Sequence, residues 1–520
     1  MSSKLLQSTF VIGLMTLVSR ISGLIRDNIF AQVMGSQLVA DVFFVAFRIP
    51  NFFRRLFGEG AFSAAFVPVF AEYDVNHSAE DGRRFLALVS GRLMLILLCV
   101  TLLGVIFAPA LISLIAPGFR KDPAAFSLAV DVTRIMFPYL FFISLVALSA
   151  GILNTKGRFA VPAFTPVILN ICMISGAWFF ASRYSHATYA IAMSVFVAGF
   201  LQLMFQLPFL YKAGSLSAPR VRAIAGDDTA VEGAVRVYRL TLPALFGVSI
   251  AQINLLINTA LATMLATGSV SWLYYSDRLM EFPVGVFGIA LATAILPKLS
   301  KDHAAQSSGE FALTLDWGCR WVMLISLPAM LALIILGEPI ITAIYHYGKF
   351  SDTDVIRVYQ SLIAFVLGLI PIILVKVLAP GFYAQKNTKT PVKIGVIAML
   401  VNIVFSLLLF KPMAHVGLAL STSIAALVNA SALFFILKRD NIFIVQPGWR
   451  RFLLQVCLAS IVMSVALWWW VPPLEFWLQA GAWSRFYHLL LLVILGAFCY
   501  GSALFVLGLR PRQLLFKTSQ

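Results

Sequence analysis

The 520-residue chain carries 39 Lys and Arg against 22 Asp and Glu, a formal net charge of +17, yet it is only 12% charged and 60% hydrophobic. An ordinary soluble domain is about 25% charged, so too little charge is present here to build a water-facing surface. The basic residues are scattered through short connections rather than gathered in a basic domain, which argues against a nucleic-acid partner and for membrane orientation.

Apolar runs taken in chain order predict about fourteen membrane spans, on the rule that roughly 20 apolar residues cross a bilayer as helix. Their limits are 10–34, 41–72, 85–115, 127–153, 160–182, 187–211, 237–266, 271–297, 313–345, 356–384, 391–411, 415–437, 452–471 and 486–509. The first is a retained helix, because Arg20, Arg26 and Asp27 follow the early apolar stretch with no small-residue cleavage site. With a cytoplasmic N-terminus, the connections and tails on that side hold about 20 of the 39 Lys and Arg, and the opposite side about 5. Both termini are therefore expected in the cytoplasm. The five cysteines, Cys99, Cys172, Cys319, Cys457 and Cys499, fall inside apolar stretches with no disulfide or zinc spacing.

The connection from Lys212 to Arg236 divides two halves that resemble each other. FGEGAFSAAFVP (Phe57 to Pro68) pairs with FGIALATAILP (Phe287 to Pro297), and GILNTKGRFAVP (Gly151 to Pro162) with GFYAQKNTKTP (Gly381 to Pro391), at a common offset of about 230 residues. The expected organisation is an all-α polytopic membrane protein: an N-lobe at 1–225, a C-lobe at 226–440, and two additional helices with a tail at 441–520. Repeats of like orientation imply a pseudo-two-fold axis along the membrane normal.

Intramembrane charge is concentrated in spans one, two and eight: Arg20, Arg26 and Asp27; Asp41, Arg48, Arg54, Arg55 and Glu59; Asp277, Arg278 and Glu281. A charge at helix centre costs about 2.5 to 3.5 kcal/mol on the insertion scale, so such residues face a wet cavity or a partner. Ser19, Ser22 and Arg26, beside Arg20, Gly23 and Asp27, recur every three or four residues and form one polar stripe. At about 1.5 Å of rise per residue, Arg20 and Arg54 fall near mid-depth and Arg26, Arg48 and Arg278 toward the outer half. In span two, Asp41, Arg48, Arg55 and Glu59 share a face from which Arg54 is turned by about a third of a turn, with Pro50 free to kink the helix. Spacing alone leaves open which arginine faces a ligand. These charges either pair as interhelical ion bridges or, with six Arg against five acids, line an anion site across a central cleft, for which the guanidinium fork suits phosphate oxygens. Ser19, Ser22, Asn51 and Ser276 are expected to share that wet lining. Arg55, and Lys376 in span ten, have stems long enough to snorkel.

No zinc-protease motif, phosphate loop or nucleophile elbow occurs, the six histidines are dispersed, and the Asp227–Asp228 pair reads as part of a solvated connection. No enzymatic activity, metal or cofactor is expected.

The strings SRISGLIRDNIFA, FRIPNFFRRLFGEGAFSAAFVPVFAEY, SVSWLYYSDRLMEFPVGVFGIALATAILPKLSK and VKVLAPGFYAQKNTKTPVK resemble the MurJ (MviN) lipid II flippases of the multidrug/oligosaccharidyl-lipid/polysaccharide exporter superfamily. The resemblance implies fourteen helices in a bacterial inner membrane. It also implies alternating-access transfer of lipid II, the undecaprenyl-diphosphate-linked disaccharide-pentapeptide, from the cytoplasmic to the periplasmic leaflet. Carried onto matching positions, it implies substrate contacts at Arg20, Arg26, Asp41, Arg54 and Arg278, with Asp27, Asn51, Glu59, Asp277 and Glu281 as cavity partners. Membrane lipids and cell-wall synthesis machinery are the further partners it suggests, and the last two helices resemble the family's groove for the lipid tail. Spans seven and eleven, which supply sodium-binding acids in some members, hold Gln252, Asn254, Asn258 and Asn402 here but no Asp or Glu. A multidrug exporter would call for a carboxylate-dominated cavity and a membrane glycosyltransferase for a large periplasmic loop, whereas a flippase for another polyprenyl-diphosphate glycan would share the cavity charge.

Overall fold

The computed structural model describes residues 3–55 and 61–510, and every regular element among them is helical. Helices are what a bilayer permits, since each satisfies its own backbone N–H and C=O groups where no water can. Among the described residues, ten helical segments are long and apolar enough to cross a membrane. By packing, the chain forms two compact units, Met1–Gly268 and Ser269–Gln520.

The first unit holds α1 (Ser3–Met34), α2 (Leu38–Phe53), α3 (Ala61–Asn76), α4 (Ala79–Ile106), α5 (Ala108–Ile115), α6 (Pro123–Met136), α7 (Tyr139–Thr155), α8 (Ala160–Ser175), α9 (Ala187–Lys212) and α10 (Asp228–Thr263). Local chemistry sets the breaks. Ser78 caps α4 by accepting the Asp81 N–H at 3.1 Å, and Asp122 caps α6 by accepting those of Ala124 and Ala125. Pro138 separates α6 from α7 inside a single apolar segment. Helix α1 packs its polar stripe on α8 and leaves Leu14, Leu17, Val18, Ile21, Leu24 and Ile25 exposed, the apolar face expected of a helix bordering lipid. A stack of Phe62, Phe66 and Phe70, with centroids 5.6 and 5.5 Å apart, leans on Phe85 and joins α3 to α4; each such pair adds about 0.5–1.5 kcal/mol beyond area burial.

Helix α10 packs on α3 and α4, so it lies with the preceding helices although it follows the residue-225 boundary drawn from the repeats. The connection ahead of it is strapped across α4. The Arg220 N–H donates to Ala87 O at 2.8 Å, the Arg84 guanidinium to Gly226 O, and the Arg92 Nε to Val221 O. Gly91 makes this possible, because a Cβ there would collide with the Arg220 backbone.

The second unit holds α11 (Ser269–Pro283), α12 (Ile289–Ala304), α13 (Ser308–Tyr345), α14 (Asp352–Val366), α15 (Leu369–Tyr383), α16 (Lys389–Arg439), α17 (Trp449–Trp470), α18 (Leu474–Gln479) and α19 (Ala482–Val506). A π-turn, Val284–Gly288, joins α11 to α12 within one apolar segment. The 51-residue α16 is two helices meeting at Ala414 (φ 48°, ψ −133°), where the sequence places the short connection after span eleven. Helices α17 and α19 pack on each other and on α13, and the buried Arg485 fastens α19 there. Its guanidinium donates to His346 O at 2.8 Å and Thr342 O at 3.3 Å, carbonyls at the end of α13, and to His346 Nδ1 at 3.1 Å.

Candidate functional site

In the first unit, α1 turns its polar stripe into α8. Arg26 and Asp27, 8% and 4% exposed, form a buried pair in which Nη2 and Nε of Arg26 donate to Asp27 Oδ1 at 2.7 and 3.0 Å. The third arm of the fork reaches α8, Nη1 donating to Asn170 Oδ1 at 3.0 Å. The Asn170 amide closes the circuit onto α1 by donating to Ser22 Oγ at 2.8 Å and Ser19 O at 3.2 Å. The stripe thus meets a polar side chain of a neighbouring helix. Asn170 was hidden in an otherwise apolar run, TPVILNICM, and that lone amide was the one signal of its role. Arg20, half-buried one turn below, makes no ion pair or hydrogen bond with any described residue.

Helix α2 keeps Asp41 and Arg48 on one face, as their spacing predicts, and that face meets the far end of α10. Asp41, 3% exposed, accepts the Gly268 N–H at 2.7 Å, fixing a glycine with φ +97° at the last residue of the unit. Arg48 donates to the Thr259 hydroxyl. The α-helical winding of α2 loosens into a π-turn at Arg54 and Arg55, where Arg54 Nε donates to Asn51 Oδ1 at 3.1 Å and Arg55 is exposed. Glu59 lies outside the described residues.

In the second unit, Arg278 donates to Glu281 Oε2 at 3.0 Å and lies 5.0 Å from the centroid of the Tyr274 ring; both charged side chains stay well exposed, at 39% and 50%. Asp277 is half-buried beside them. Ser276, expected to face water, is instead fully buried, its hydroxyl turned back to Trp272 O and Leu273 O at 2.8 and 3.1 Å. A serine in a helix satisfies itself this way when its face is packed. Among the described residues no group of three or more His, Cys, Asp and Glu could hold a metal ion.

Each unit, then, places guanidinium groups on its helices, and the guanidinium fork suits phosphate oxygens. The comparison with known proteins supplies the family. Residues 30–492 match the family described as "Lipid II flippase MurJ". The chain belongs to the MurJ family. Relatives include the probable lipid II flippase MurJ of Vibrio cholerae, 44% identical over 99% of this chain and 98% of that protein. The lipid II flippase MurJ of Burkholderia cenocepacia is 39% identical over 95% and 96%. A solved MurJ structure in an inward closed conformation superposes with a TM-score of 0.79 at 27% identity, covering 95% of this chain and 98% of that one. An inward-facing multidrug transporter of the MATE family shares the fold at a TM-score of 0.67, 14% identity, over 83% and 98% of the two chains. MurJ membership and the helical architecture together make the chain a multi-pass membrane protein, and the MATE likeness extends to fold alone.

Proposed function

We propose that this protein is a lipid II flippase, moving the undecaprenyl-diphosphate-linked peptidoglycan precursor from the cytoplasmic to the periplasmic leaflet of the bacterial inner membrane. The observation that carries the reading is family membership along nearly the whole chain, with relatives named for that activity. The arginines give it a chemical basis: Arg20, Arg26, Arg54 and Arg278 take the diphosphate, with Asp27, Asn51, Glu59, Asp277 and Glu281 setting their orientation. Asp41 acts through the loop it holds at Gly268. No covalent chemistry is needed. Access to the arginines alternates between the two membrane faces while the polyprenyl tail stays in lipid.

The topology that goes with this has fourteen crossings and both termini in the cytoplasm. Ten segments qualify by apolarity. One of those is two helices meeting at Ala414, and α1, the α2–α3 pair and α10 complete the set. The membrane potential is an available energy source, at about 2.3 kcal/mol per elementary charge per 100 mV. Cell-wall synthesis enzymes are the expected neighbours on the product side.

The deciding experiment depletes the protein in a strain with no other flippase and reads the leaflet of lipid II by its accessibility to an externally added enzyme. Lipid II should accumulate on the inner leaflet. Continued appearance of lipid II outside, or stranding of a different lipid-linked glycan, refutes the assignment. In the same strain Arg278→Glu, at a position where both members of the ion pair are well exposed, should reach the membrane yet fail to support growth.

A further inference from the structure

Helix α15 is packed by α12, α13 and α16, and from Leu369 to Phe382 one residue on it is exposed: Lys376. Its neighbours along the helix form the core with α12 and α13, Val377, Leu378 and Phe382 being at most 1% exposed. At about 1.5 Å per residue, Lys376 stands about 10 Å inside the end of the helix at Tyr383. That is farther than a four-carbon stem reaches, so simple snorkelling does not account for the charge.

The stem lies beside Gly288, where a methyl would be in ordinary contact with Lys376 Cγ at 3.6 Å; this is the π-turn between α11 and α12, the kind of local distortion that recurs at functional sites. That turn follows α11, the helix that carries Asp277, Arg278 and Glu281. There Arg278 is already bonded to Glu281, whereas Lys376 makes no hydrogen bond or ion pair with any described residue. An exposed ammonium at this depth costs free energy unless a partner arrives.

We propose that the Lys376 ammonium binds an oxyanion of the translocated substrate, a phosphate or a carboxylate, as a cation of the second unit additional to Arg278. The inference rests on the flippase reading above. A lysine suits the task because its compact, freely rotating charge follows a group that moves during transport, while an arginine fork favours one geometry.

The test is affinity of the purified full-length protein in lipid nanodiscs for two probes, lipid II and undecaprenyl diphosphate. If the wild type binds neither, the flippase reading fails and not the assignment of Lys376. With wild-type binding established, Lys376→Gln should weaken it about tenfold, the loss expected for one charge-assisted hydrogen bond, and Lys376→Arg should retain most of it. Weakening on both probes identifies the phosphate, and weakening on lipid II alone the peptide carboxylate. Unchanged affinity of Lys376→Gln for both probes overturns the proposal. Should that variant fail to accumulate, Lys376→Cys in a background without the five native cysteines is treated with aminoethyl methanethiosulfonate, which restores a positive charge, or with methyl methanethiosulfonate, which does not. Recovery with the amine alone supports the role of charge, and equal affinity after both reagents refutes it.

Discussion

Replacing Asp27 by Asn tests whether the α1 charges are bound into the fold as well as available to a ligand. The carboxylate takes two donors of Arg26, at 2.7 and 3.0 Å, in surroundings where the two residues are 8% exposed or less. Removing one member of such a pair costs about 3–5 kcal/mol because a charge is left buried without compensation. Asn keeps one acceptor oxygen and the Asn170 contact survives, so about 3 kcal/mol is the expected loss. That is a large share of a typical total of about 5–15 kcal/mol, and a loss of even 1–2 kcal/mol can change abundance several-fold. A fluorescent-protein fusion followed by thermal size-exclusion profiles and membrane abundance reads the effect directly. Asp27→Asn should melt earlier and accumulate less than wild type. The double variant Arg26→Leu with Asp27→Leu should recover most of the stability, since an apolar pair of similar volume replaces a buried ion pair at little cost, yet it should not support growth. Wild-type melting and abundance for Asp27→Asn would refute the buried-pair account, and growth on the double variant would remove Arg26 from transport.

Reporters fused after Lys212 and Lys438 should report cytoplasm and those after Gly268 and Gly348 periplasm; a reversal within either pair breaks the fourteen-crossing topology. In a background without native cysteines, Cys at Ser19, Ser22 or Asn51, all half-buried, should react with an impermeant thiol reagent in a manner that depends on substrate supply, while Cys at the fully buried Leu97 should not. Lack of reaction at all three from both sides would make the stripe plain packing. Gly91→Val should place side-chain atoms against the Arg220 backbone and free the strap across α4, seen as new proteolytic cleavage between residues 213 and 227; an unchanged digest would show that the strap does not depend on that close approach.

The helical class, the segments and the clustering of charge could be read from the chain because each follows from one-dimensional pattern: apolar run length, turn residues, and charges too costly to leave in lipid. The stripe of Ser19, Ser22 and Arg26 was visible from its three- and four-residue spacing. What faced it was not, since Asn170 sits far away in sequence and gives no periodic signal. The same limit hid the burial of Ser276, which shares a helix with exposed charges but points toward packed neighbours. The packing of α10 on α3 and α4 rests on tertiary contacts that no internal similarity encodes. Asp41 and Arg48 were legible as one face of α2, and their engagement with Gly268 and Thr259 was not.

The clasp formed by Arg485 has a consequence for biogenesis. The carbonyl of His346 and the guanidinium that caps it are 139 residues apart in the chain. At a synthesis rate of about 5–20 residues per second, the C-terminal end of α13 waits roughly seven to thirty seconds before its donor exists. During that interval Thr342 O keeps only the His346 N–H and His346 O has no guanidinium to accept from, so α13 is held in place first by its apolar length and only later by these cross-chain polar bonds. Helix α19 therefore completes a helix made long before it, and a ribosome that stops short of residue 485 leaves the end of α13 without its guanidinium.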